Sequence, residues 1–234
     1  MLAALDGAKL NEIVERDDGF ITASIFGPGA YLAPFRRWLP HERQGLREVR
    51  GRVLDVGAGA GRVALRLQER GQDVVAIDAS PGAIEVCRRR GVHDARLVSI
   101  EEADESLGSF DTIVMYGNNF GLFASRSKAK PLLRRFHKLT SESGRIVAQT
   151  RDARKSDDPA HVAYRKRNIE RGRLPGQIRI RVRYRELTTP WFDYLMVGTD
   201  ELRDILDGTG WTLTRTIDSE DTYVAVIDKQ TAPH

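Results

Sequence analysis

The sequence VLDVGAGAG at residues 53–61 decides the fold prediction for this chain. An apolar run that enters alternating glycines is typical of a strand followed by a tight loop, and glycine lets the loop backbone approach a nucleotide-like ligand closely. The dinucleotide fingerprint G-x-G-x-x-G, counted from Gly57, requires glycine at position 62, where this chain has Arg62. The third glycine comes one residue earlier, at Gly61. The spacing therefore predicts a cofactor loop other than the dinucleotide one.

A second strand follows this loop at the distance that a nucleotide-binding α/β unit requires. Residues 62–70 alternate apolar and charged side chains at helical spacing and stop at Gly71, and residues 73–78 then indicate a short buried strand. That strand ends in Asp78, and in such units an acid about 20 residues past the glycines accepts hydrogen bonds from ribose hydroxyls. Glycine clusters alone usually mark turns, but the agreement of strand, loop, helix and acid predicts a cofactor site.

With Asp55 two residues before the first glycine, the stretch resembles motif I of the class I S-adenosylmethionine-dependent methyltransferases, hydrophobic-hydrophobic-Asp-hydrophobic-Gly-x-Gly-x-Gly. The resemblance implies S-adenosyl-L-methionine as cofactor and S-adenosyl-L-homocysteine as product. Asp55 also has a structural interpretation, because a carboxylate beside a tight loop can accept hydrogen bonds from the loop's own N–H groups. In the family this acid does so and also lies near the methionine end of the cofactor.

The predicted cofactor residues lie where strands end, because ligands of open α/β sheets bind outside the carboxyl ends of the strands. By resemblance, Ala79 borders the adenosine, Ser99 and Ile100 meet the adenine edge, and Tyr116 with Gly117 lies near the methionine. Many relatives carry an acid in place of Ser99, so the adenine contact here is expected from its hydroxyl or backbone. The full set is Asp55, Gly57, Ala58, Gly59, Gly61, Arg62, Asp78, Ala79, Ser80, Ser99, Ile100, Glu101, Tyr116, Gly117 and Asn118.

Strand and helix patterns keep alternating along the chain. Strands are predicted at 95–100, 110–116 and 144–150, helices at 83–90 and 128–139, and an antiparallel pair at 211–217 and 222–228 after a helix that begins near 199. The pattern predicts an α/β fold, Rossmann-like and doubly wound, with a mostly parallel seven-stranded sheet, a terminal antiparallel hairpin and a β-rich insertion after the fifth strand. We predict four regions: an N-terminal helical lid segment (1–50), the cofactor-binding core (51–150), an insertion that caps the substrate (151–198) and a C-terminal helix with hairpin (199–234).

The first 50 residues give weaker signals. Residues 10–16 look helical, and residues 20–22 precede a Gly-Pro-Gly turn and the aromatic stretch 31–38. In the family such segments often lie over the cofactor cleft, which makes Tyr31 and Phe35 candidates for a lid. Packing onto the sheet is the alternative for each of these aromatic residues.

The insertion begins with a polar stretch, 151–176, and continues as QIRIRVRYR at 177–185, which alternates strictly. Period two places apolar residues on one face of a strand and four arginines on the other, and residues 190–198 are predicted to return beside it. Basic patches bind phosphate backbones, but the net charge is only +4 and arginines at alternate positions are an ordinary solvated face. We disfavour nucleic acid as a partner, and leave an anionic small substrate or an oligomer contact open.

Composition limits the class of protein. The 234 residues, 41% hydrophobic and 30% charged, suit one compact α/β domain with an insertion. Cys87 is the only cysteine, which excludes an intrachain disulfide, and its helical context favours a packing role. No apolar stretch approaches the roughly 20 residues of a membrane helix, and the first residues do not resemble a signal peptide. We expect a cytoplasmic monomer or homodimer with no membrane partner.

The strand end Gly117-Asn118-Asn119 is a candidate substrate contact. Two adjacent amides beside the cofactor can orient a polar acceptor, and asparagine is equally a common turn residue. The Asn-Pro-Pro-aromatic motif of amino-directed DNA methyltransferases is replaced here by Gly-Asn-Asn-Phe, which disfavours a DNA base as substrate. We predict Tyr31, Asn119 and His161 as substrate residues and name no metal ligand.

The predicted reaction is methyl transfer to O or N of a small or medium-sized molecule. In-line displacement at a sulfonium depends on positioning, and a general base is needed only when the acceptor must lose a proton. His137, His161, Tyr116 and Asp193 are candidates without motif support, so no catalytic base is named. An RNA or protein methyltransferase and a non-catalytic cofactor-binding protein are the alternatives, and Arg62 disfavours a nicotinamide dehydrogenase.

Overall fold

The computed structural model describes residues 2–5, 12–23 and 27–230. Its strands are β1 Ile13–Arg16, β2 Ile21–Ala23, β3 Val53–Val56, β4 Val74–Asp78, β5 Asp94–Leu97, β6 Phe110–Met115, β7 Thr140–Arg151, β8 Gln177–Tyr184, β9 Leu187–Thr188, β10 Phe192–Leu195, β11 Trp211–Ser219 and β12 Thr222–Lys229. Its helices are α1 Leu2–Leu5, α2 Gly27–Tyr31, α3 Pro40–Gly45, α4 Arg62–Gln68, α5 Pro81–Arg89, α6 Arg126–Lys138, α7 Pro159–Glu170 and α8 Thr199–Leu206.

The larger sheet of the described chain has seven strands in the order β11-β12-β7-β6-β3-β4-β5. Five of these strands, β7, β6, β3, β4 and β5, pair in parallel. Strands β12 and β11 form an antiparallel hairpin that pairs with β7. All four residues of β3 are buried, as expected of a central parallel strand covered by helices on both faces. The predicted α/β class, with its mostly parallel sheet and terminal hairpin, is confirmed.

Side chains on the two faces of this sheet enter two separate apolar clusters. Leu54 and Val56 of β3 pack in the cluster that contains α6 and α8, whereas Val53 packs in the cluster that contains α4. Alternate strand residues point to opposite faces, so each central strand supplies both clusters. This packing holds the carboxyl ends of the strands at one edge, where the loops after β3, β4 and β6 meet.

A second sheet, which we call the cap sheet, has strand order β10-β8-β1-β2 with β9 added to β8. Its strands come from two separate parts of the sequence: β1 and β2 precede the parallel core strands, and β8 to β10 follow them. The two parts are joined by β1, which pairs antiparallel with β8 at Val14–Val182 and Arg16–Ile180. The prediction of a helix at 10–16 is therefore wrong for residues 13–16, and residues 10 and 11 lie outside the described residues. A four-residue strand gives little periodic signal, and its partner lies far away in the sequence.

Helix α7 occupies part of the insertion, where the sequence shows only a polar stretch. Asp158 caps its first turn by accepting a hydrogen bond from the N–H of Ala160, and Pro159 takes the first helical position. Its buried residues include Asn168, whose amide donates to the carbonyl oxygens of Pro175 and Gln177. The helix has no apolar stripe to reveal it, because polar side chains supply much of its packing.

Candidate functional site

The loop after β3 is shaped by glycines and held against β4. Gly57, Gly59 and Gly61 have φ of 72°, 57° and 72°, a region that costs side-chain-bearing residues energy. The N–H groups of Gly57 and Ala58 both donate to the carbonyl oxygen of Ile77, at 2.9 and 3.0 Å. The predicted cofactor loop therefore exists, and its start is fixed to the strand that carries the second motif.

Two carboxylates stabilise this loop from opposite sides. Asp55 is 2% exposed and accepts a hydrogen bond from the N–H of Ala64 at 3.1 Å. Burial, aided by the nearby charge of Asp78, raises the pKa of Asp55 to about 7. The Asp78 carboxylate accepts from the N–H of Gly59 at 2.9 Å and of Ser80 at 2.8 Å, while burial raises its pKa. Both acids thus bond to backbone N–H groups, as the structural interpretation of Asp55 expected.

Two cavities meet at the loop. The larger, of about 640 Å³, lies between the carboxyl edge of the main sheet and the cap sheet. The smaller, of about 500 Å³, lies beside the ends of β4 and β5. Gly57, Gly59, Asn119 and Tyr31 border both cavities, so the glycine loop is the point where the two spaces join. Volumes of this size are typical of sites for small molecules and cofactors.

The cofactor residues predicted from sequence line these cavities with one exception. The smaller cavity is bordered by Asp78, Ala79, Ser99, Ile100 and Glu101. The larger cavity is bordered by Asp55, Ala58, Arg62, Ser80, Tyr116, Gly117 and Asn118.

The exception is Gly61, which borders neither cavity. A Cβ atom there would lie 2.7 Å from Cγ2 of Val92 and 3.1 Å from Sγ of Cys87. Cys87 is fully buried, and burial raises the pKa of its thiol to about 12, which suits a packing role. Gly61 therefore allows the loop to pack closely on α5. Its contact with the cofactor stays a prediction.

Ser99 sits in a tight turn just after β5. Its N–H and its hydroxyl both donate to Oε2 of Glu102, at 3.0 and 2.7 Å. The predicted strand at 95–100 ends at Leu97, so this turn, and not the strand, presents Ser99 to the smaller cavity. The acid that many relatives carry at this point is thus replaced by a serine bonded to a neighbouring glutamate.

The strand end after β6 contains two asparagines with different roles. Asn118 has φ of 66°, as a turn residue does, and its carbonyl oxygen accepts the hydroxyl of Tyr194 at 2.6 Å. The side-chain amide of Asn119 donates to the carbonyl oxygens of Val56 and Gly57, at 3.1 and 2.7 Å. Asn119 therefore braces the glycine loop with its amide nitrogen, a role that its sequence position did not reveal.

The methyltransferase domain family model matches residues 53–144, which contain the glycine loop, Asp78 and the strand end after β6. A solved S-adenosylmethionine-dependent methyltransferase from Bacteroides fragilis, in complex with S-adenosyl-L-homocysteine, is 26% identical to this chain. Its TM-score is 0.79, and the match covers 96% of this chain and 90% of that one. The chain belongs to the class I S-adenosylmethionine-dependent methyltransferases.

Other relatives of this methyltransferase match over shorter stretches. A glycine/sarcosine N-methyltransferase from Parasynechococcus marenigrum is 31% identical over 107 residues, 43% of this chain and 38% of that protein. A ubiquinone biosynthesis O-methyltransferase from Methylocella silvestris is 38% identical over 82 residues, 32% of each protein. The chain thus spans about half, or less, of the length of the curated relatives it matches.

The cofactor of this family is S-adenosylmethionine, and the residues present fit it. Each carboxylate oxygen of Asp78 accepts one N–H, which leaves acceptor capacity for ribose hydroxyls at the smaller cavity. The carboxyl group of Asp55 borders the larger cavity, where a cationic sulfur and ammonium are complementary to it. The two joined cavities therefore complement the two halves of this molecule.

Tyr116 and Arg62 of the methyltransferase are held by the segment before β3. The Tyr116 hydroxyl donates to the carbonyl oxygen of Glu42 at 3.2 Å, and burial keeps the pKa of Tyr116 well above its usual value. Arg62 pairs with the Glu42 carboxylate and lies 4.4 Å from the ring centre of Trp38. Tyr116 therefore stays a protonated phenol near neutral pH and is not a general base there.

His161 borders the larger cavity, and its ring is engaged by β1. Its Nδ1 lies 3.0 Å from Nη1 of Arg16, and Phe20 contacts the ring edge-on at 4.8 Å between centroids. Burial, together with the nearby charge of Arg16, lowers the pKa of His161. Because arginine only donates, Nδ1 accepts and the proton of the neutral ring sits on Nε2. The sequence analysis did not identify Arg16 as a partner of His161, because residues 10–16 were predicted as a helix and not as a strand beside the cavity.

The other two candidates for a general base, His137 and Asp193, are held by neighbouring side chains. His137 packs edge-on against Trp211, 5.7 Å between centroids, and borders neither cavity. Asp193 borders the smaller cavity and lies 3.5 Å from Arg173 and 3.6 Å from Arg179. These positions assign His137 to packing and Asp193 to an ion-pair cluster on the cap.

The alternating arginines of β8 face away from the larger cavity and meet carboxylates. Arg181 donates to both carboxylate oxygens of Glu15, at 2.8 and 3.0 Å, and Arg183 reaches the same group at 3.5 Å. The apolar residues of β8, Ile178, Ile180 and Val182, line the larger cavity. The two-face prediction for this strand is therefore correct, with an ion-paired outer face.

A membrane-spanning helix and a metal site are two further possibilities for the described residues. None of their helices is long and apolar enough to cross a membrane. Over the same part of the chain, no group of three or more histidine, cysteine, aspartate or glutamate side chains is arranged to hold a metal ion.

Proposed function

We propose that this methyltransferase transfers a methyl group from S-adenosylmethionine to an oxygen or nitrogen atom of a small or medium-sized molecule. One observation carries the proposal: two cavities join at the glycine loop, one beside Asp78 and the other extending under the cap sheet. The first has the size and the acid for an adenosine. The second has room for the methionine part and for an acceptor beside it.

The roles proposed for the chain's own residues follow from their positions. Asp78 accepts the ribose hydroxyls, while Ala79, Ser99, Ile100 and Glu101 surround the base. The backbone of Gly57–Gly59 and the carboxyl group of Asp55 face the methionine half, and Asn119 keeps the loop in place. Tyr31 borders both cavities and so contacts cofactor and acceptor where they meet.

The bound cofactor supplies an electrophilic methyl group: the acceptor's lone pair forms a bond to the methyl carbon in line as the carbon–sulfur bond breaks and leaves its electron pair on sulfur. The protein contributes by holding the acceptor at near-attack distance, which supplies much of the acceleration. Tyr116 is a phenol of raised pKa, and Nδ1 of His161 is occupied by Arg16. Neither group is therefore assigned as a base for the acceptor's proton.

The two alternatives have less support. An RNA substrate needs free cationic groups, whereas Arg181 and Arg183 on the outer face of the cap sheet are paired with Glu15. A non-catalytic cofactor-binding protein would need the larger cavity only for the methionine part, and would have no use for the further space under the cap sheet. The cytoplasmic location, the monomer or homodimer, and the division into core and cap stay predictions.

The first test is isothermal titration of the protein with S-adenosylmethionine and with S-adenosylhomocysteine. We expect micromolar binding that Asp78→Ala weakens at least tenfold, about 1.4 kcal/mol. Asp73→Ala is the matched control, because Asp73 directly precedes the same strand and forms an exposed ion pair with Arg52. Equal affinity in the two variants would contradict the assigned pocket.

The second test is an activity assay with S-adenosylmethionine and a panel of hydroxyl and amine acceptors, in which the formation of S-adenosylhomocysteine is measured. Transfer to any acceptor eliminates the non-catalytic alternative. A folded protein that binds neither cofactor form, with or without acceptor present, would overturn the proposed function.

A further inference from the structure

We propose that the acceptor is a molecule without negative charge that has an apolar, ring-sized body, and that its nucleophilic hydroxyl or amine donates a hydrogen bond to Oδ1 of Asn118. This inference rests on the proposed function and adds the substrate class and the group that holds the reacting atom. Three independent observations lead to it: a buried amide without a partner, an apolar wall opposite it, and arginines whose charges are already engaged.

The first observation is the side chain of Asn118. The residue is 8% exposed, borders the larger cavity, and its Oδ1 has no hydrogen-bond partner among the described residues. A buried polar atom left without a partner is destabilising, and such atoms are uncommon in native proteins. A ligand that donates to this oxygen explains why the chain keeps an amide there.

Neighbouring hydrogen bonds fix Asn118 in place. Tyr194 donates its hydroxyl to the Asn118 carbonyl oxygen at 2.6 Å, and the next residue, Asn119, is bonded to the glycine loop. Asn118 has φ of 66°, a conformation that asparagine tolerates better than most residues. The amide is thus held beside the loop where the reacting methyl group is proposed to lie.

The wall opposite Asn118 is apolar because three strands of the cap sheet turn the same kind of side chain toward the cavity. β8 contributes Ile178, Ile180 and Val182, while Val14 comes from β1 and Phe192 from β10. The side chains of three adjacent strands form a broad face, and burying apolar surface against it favours binding. A planar apolar body fits this wall.

The arginines at the larger cavity are already engaged by protein groups. Arg165 donates through Nη1 to the carbonyl oxygens of Ala153 and Ser156, at 2.8 and 2.9 Å. The other arginines bordering the cavity form ion pairs with carboxylates, namely Arg16–Asp18, Arg62–Glu42 and Arg151–Asp221. An acceptor with a negative charge would have to disrupt these contacts or be desolvated without a partner, which favours one that is not an anion.

The test uses three naphthalene probes with the protein saturated with S-adenosylhomocysteine. 2-Naphthol carries a neutral ring hydroxyl, 2-methoxynaphthalene keeps the ring and lacks the donor, and 2-naphthoate carries a negative charge. We expect 2-naphthol to bind at least fivefold more tightly than either of the others, measured by titration calorimetry or by its fluorescence.

The variant Asn118→Gly removes the amide and keeps the positive φ without steric cost. It should weaken 2-naphthol binding at least tenfold and abolish the preference over 2-methoxynaphthalene. Asn118→Asp keeps an oxygen acceptor and the turn, so it should retain more of the affinity than the glycine variant. Ser109→Ala, which removes an exposed hydroxyl outside both cavities, is the control and should leave 2-naphthol binding unchanged.

The outcomes separate this inference from the proposed function. If the wild type binds S-adenosylhomocysteine but not 2-naphthol, the inference fails and the proposed function stands. Tightest binding of 2-naphthoate would assign an anion subsite beside Arg165 and overturn the class without negative charge. A large loss of S-adenosylhomocysteine affinity in Asn118→Gly, with 2-naphthol binding intact, would assign the amide to the cofactor instead.

Discussion

The hydroxyl oxygen of Tyr194 lies 2.6 Å from the carbonyl oxygen of Asn118 and donates a hydrogen bond to it. Tyr194 belongs to β10 of the cap sheet, whereas Asn118 lies in the loop that follows strand β6 of the core. The bond therefore joins the covering layer to the edge of the sheet where the predicted chemistry takes place.

Tyr194→Phe should destabilise the protein and also weaken its ligand binding. Removing the hydroxyl leaves the Asn118 carbonyl oxygen with the N–H of Gly121 as its donor. Loss of the second hydrogen bond should cost about 1 kcal/mol of unfolding free energy in urea titrations. Tyr223→Phe is the matched control, because the Tyr223 hydroxyl donates to the carbonyl oxygen of Val197 inside the core. We expect similar destabilisation from both changes and at least threefold weaker S-adenosylhomocysteine binding only in Tyr194→Phe. Equal affinities would show that this bond supports stability alone.

Gly61→Ala should be far more destabilising than Gly71→Ala, although both residues have positive φ. A Cβ at Gly61 would meet Val92 and Cys87, whereas nothing lies within 4 Å of one at Gly71. The left-handed conformation alone costs about 1–2 kcal/mol, and overpacking adds about 1–3 kcal/mol at Gly61. The measurement is the free energy of unfolding of the two variants. A similar loss in both would mean that packing on α5 does not explain this glycine.

Asp55 should make stability fall as the pH rises toward neutrality. Burial raises its pKa in the folded protein to about 7 from the ordinary 3.8, so the folded state holds a proton that the unfolded state releases between these values. Asp55→Asn removes this dependence. Its unfolding free energy relative to wild type should therefore increase from pH 4 to pH 7, by at most about 4 kcal/mol.

A carboxylate with the opposite shift provides the control for that measurement. Hydrogen bonds from the N–H of Arg52 and the hydroxyl of Ser141 lower the pKa of Asp111. Its contribution is present above the unfolded pKa and is lost as the pH falls, so Asp111→Asn should lose stability relative to wild type above pH 4 and approach it in acid. The same sign for both variants would contradict the burial argument for Asp55.

Glu15→Gln should convert a neutralised surface into one that binds RNA. The change releases Arg181 and Arg183, whose guanidinium groups are paired with the Glu15 carboxylate. We expect the variant to bind a single-stranded RNA more tightly than wild type in fluorescence anisotropy, and to lose that gain between about 50 and 200 mM salt. Glu186→Gln makes the same change of charge in the exposed turn between β8 and β9 and should have a smaller effect. Strong, salt-dependent binding by the wild type would revive the RNA alternative.

The core was predictable because its signals are local and repeated. The strands β3, β4, β6 and β7 each contain a short apolar run, and the glycine spacing after β3 distinguishes one cofactor class from another. The positions of Asp78 and Ser99 followed from the rule that ligands bind beyond the strand ends, with no knowledge of tertiary contacts. The ends of strands were predicted less accurately. The strand predicted at 95–100 ends at Leu97, because residues 98–100 belong to a turn closed by Glu102, and their sequence resembles a continued strand.

The contacts that organise the candidate site depend on tertiary structure, which the sequence does not display. Asn119 braces the glycine loop although more than 60 positions separate them, and the pair has no sequence signature. The strand β1 was predicted as a helix because four residues show too little periodicity, and its direction depends on β8. Without that strand, the pairing of Arg16 with Asp18 and His161 was invisible. Helix α7 escaped prediction because it lacks an apolar stripe.

The cap sheet sets an order of events during synthesis of the chain. Arg16 of β1 pairs with Ile180 of β8, which is translated roughly 160 residues later, a delay of about 10–30 s at typical rates of elongation. During that time the five parallel strands of the core emerge, whereas β1 has no β8 to pair with and the hairpin of β11 and β12 is still to follow. The nascent chain thus completes its nucleotide cleft before it completes the roof above it, and the interval between the two is when chaperone binding to the first strands matters most.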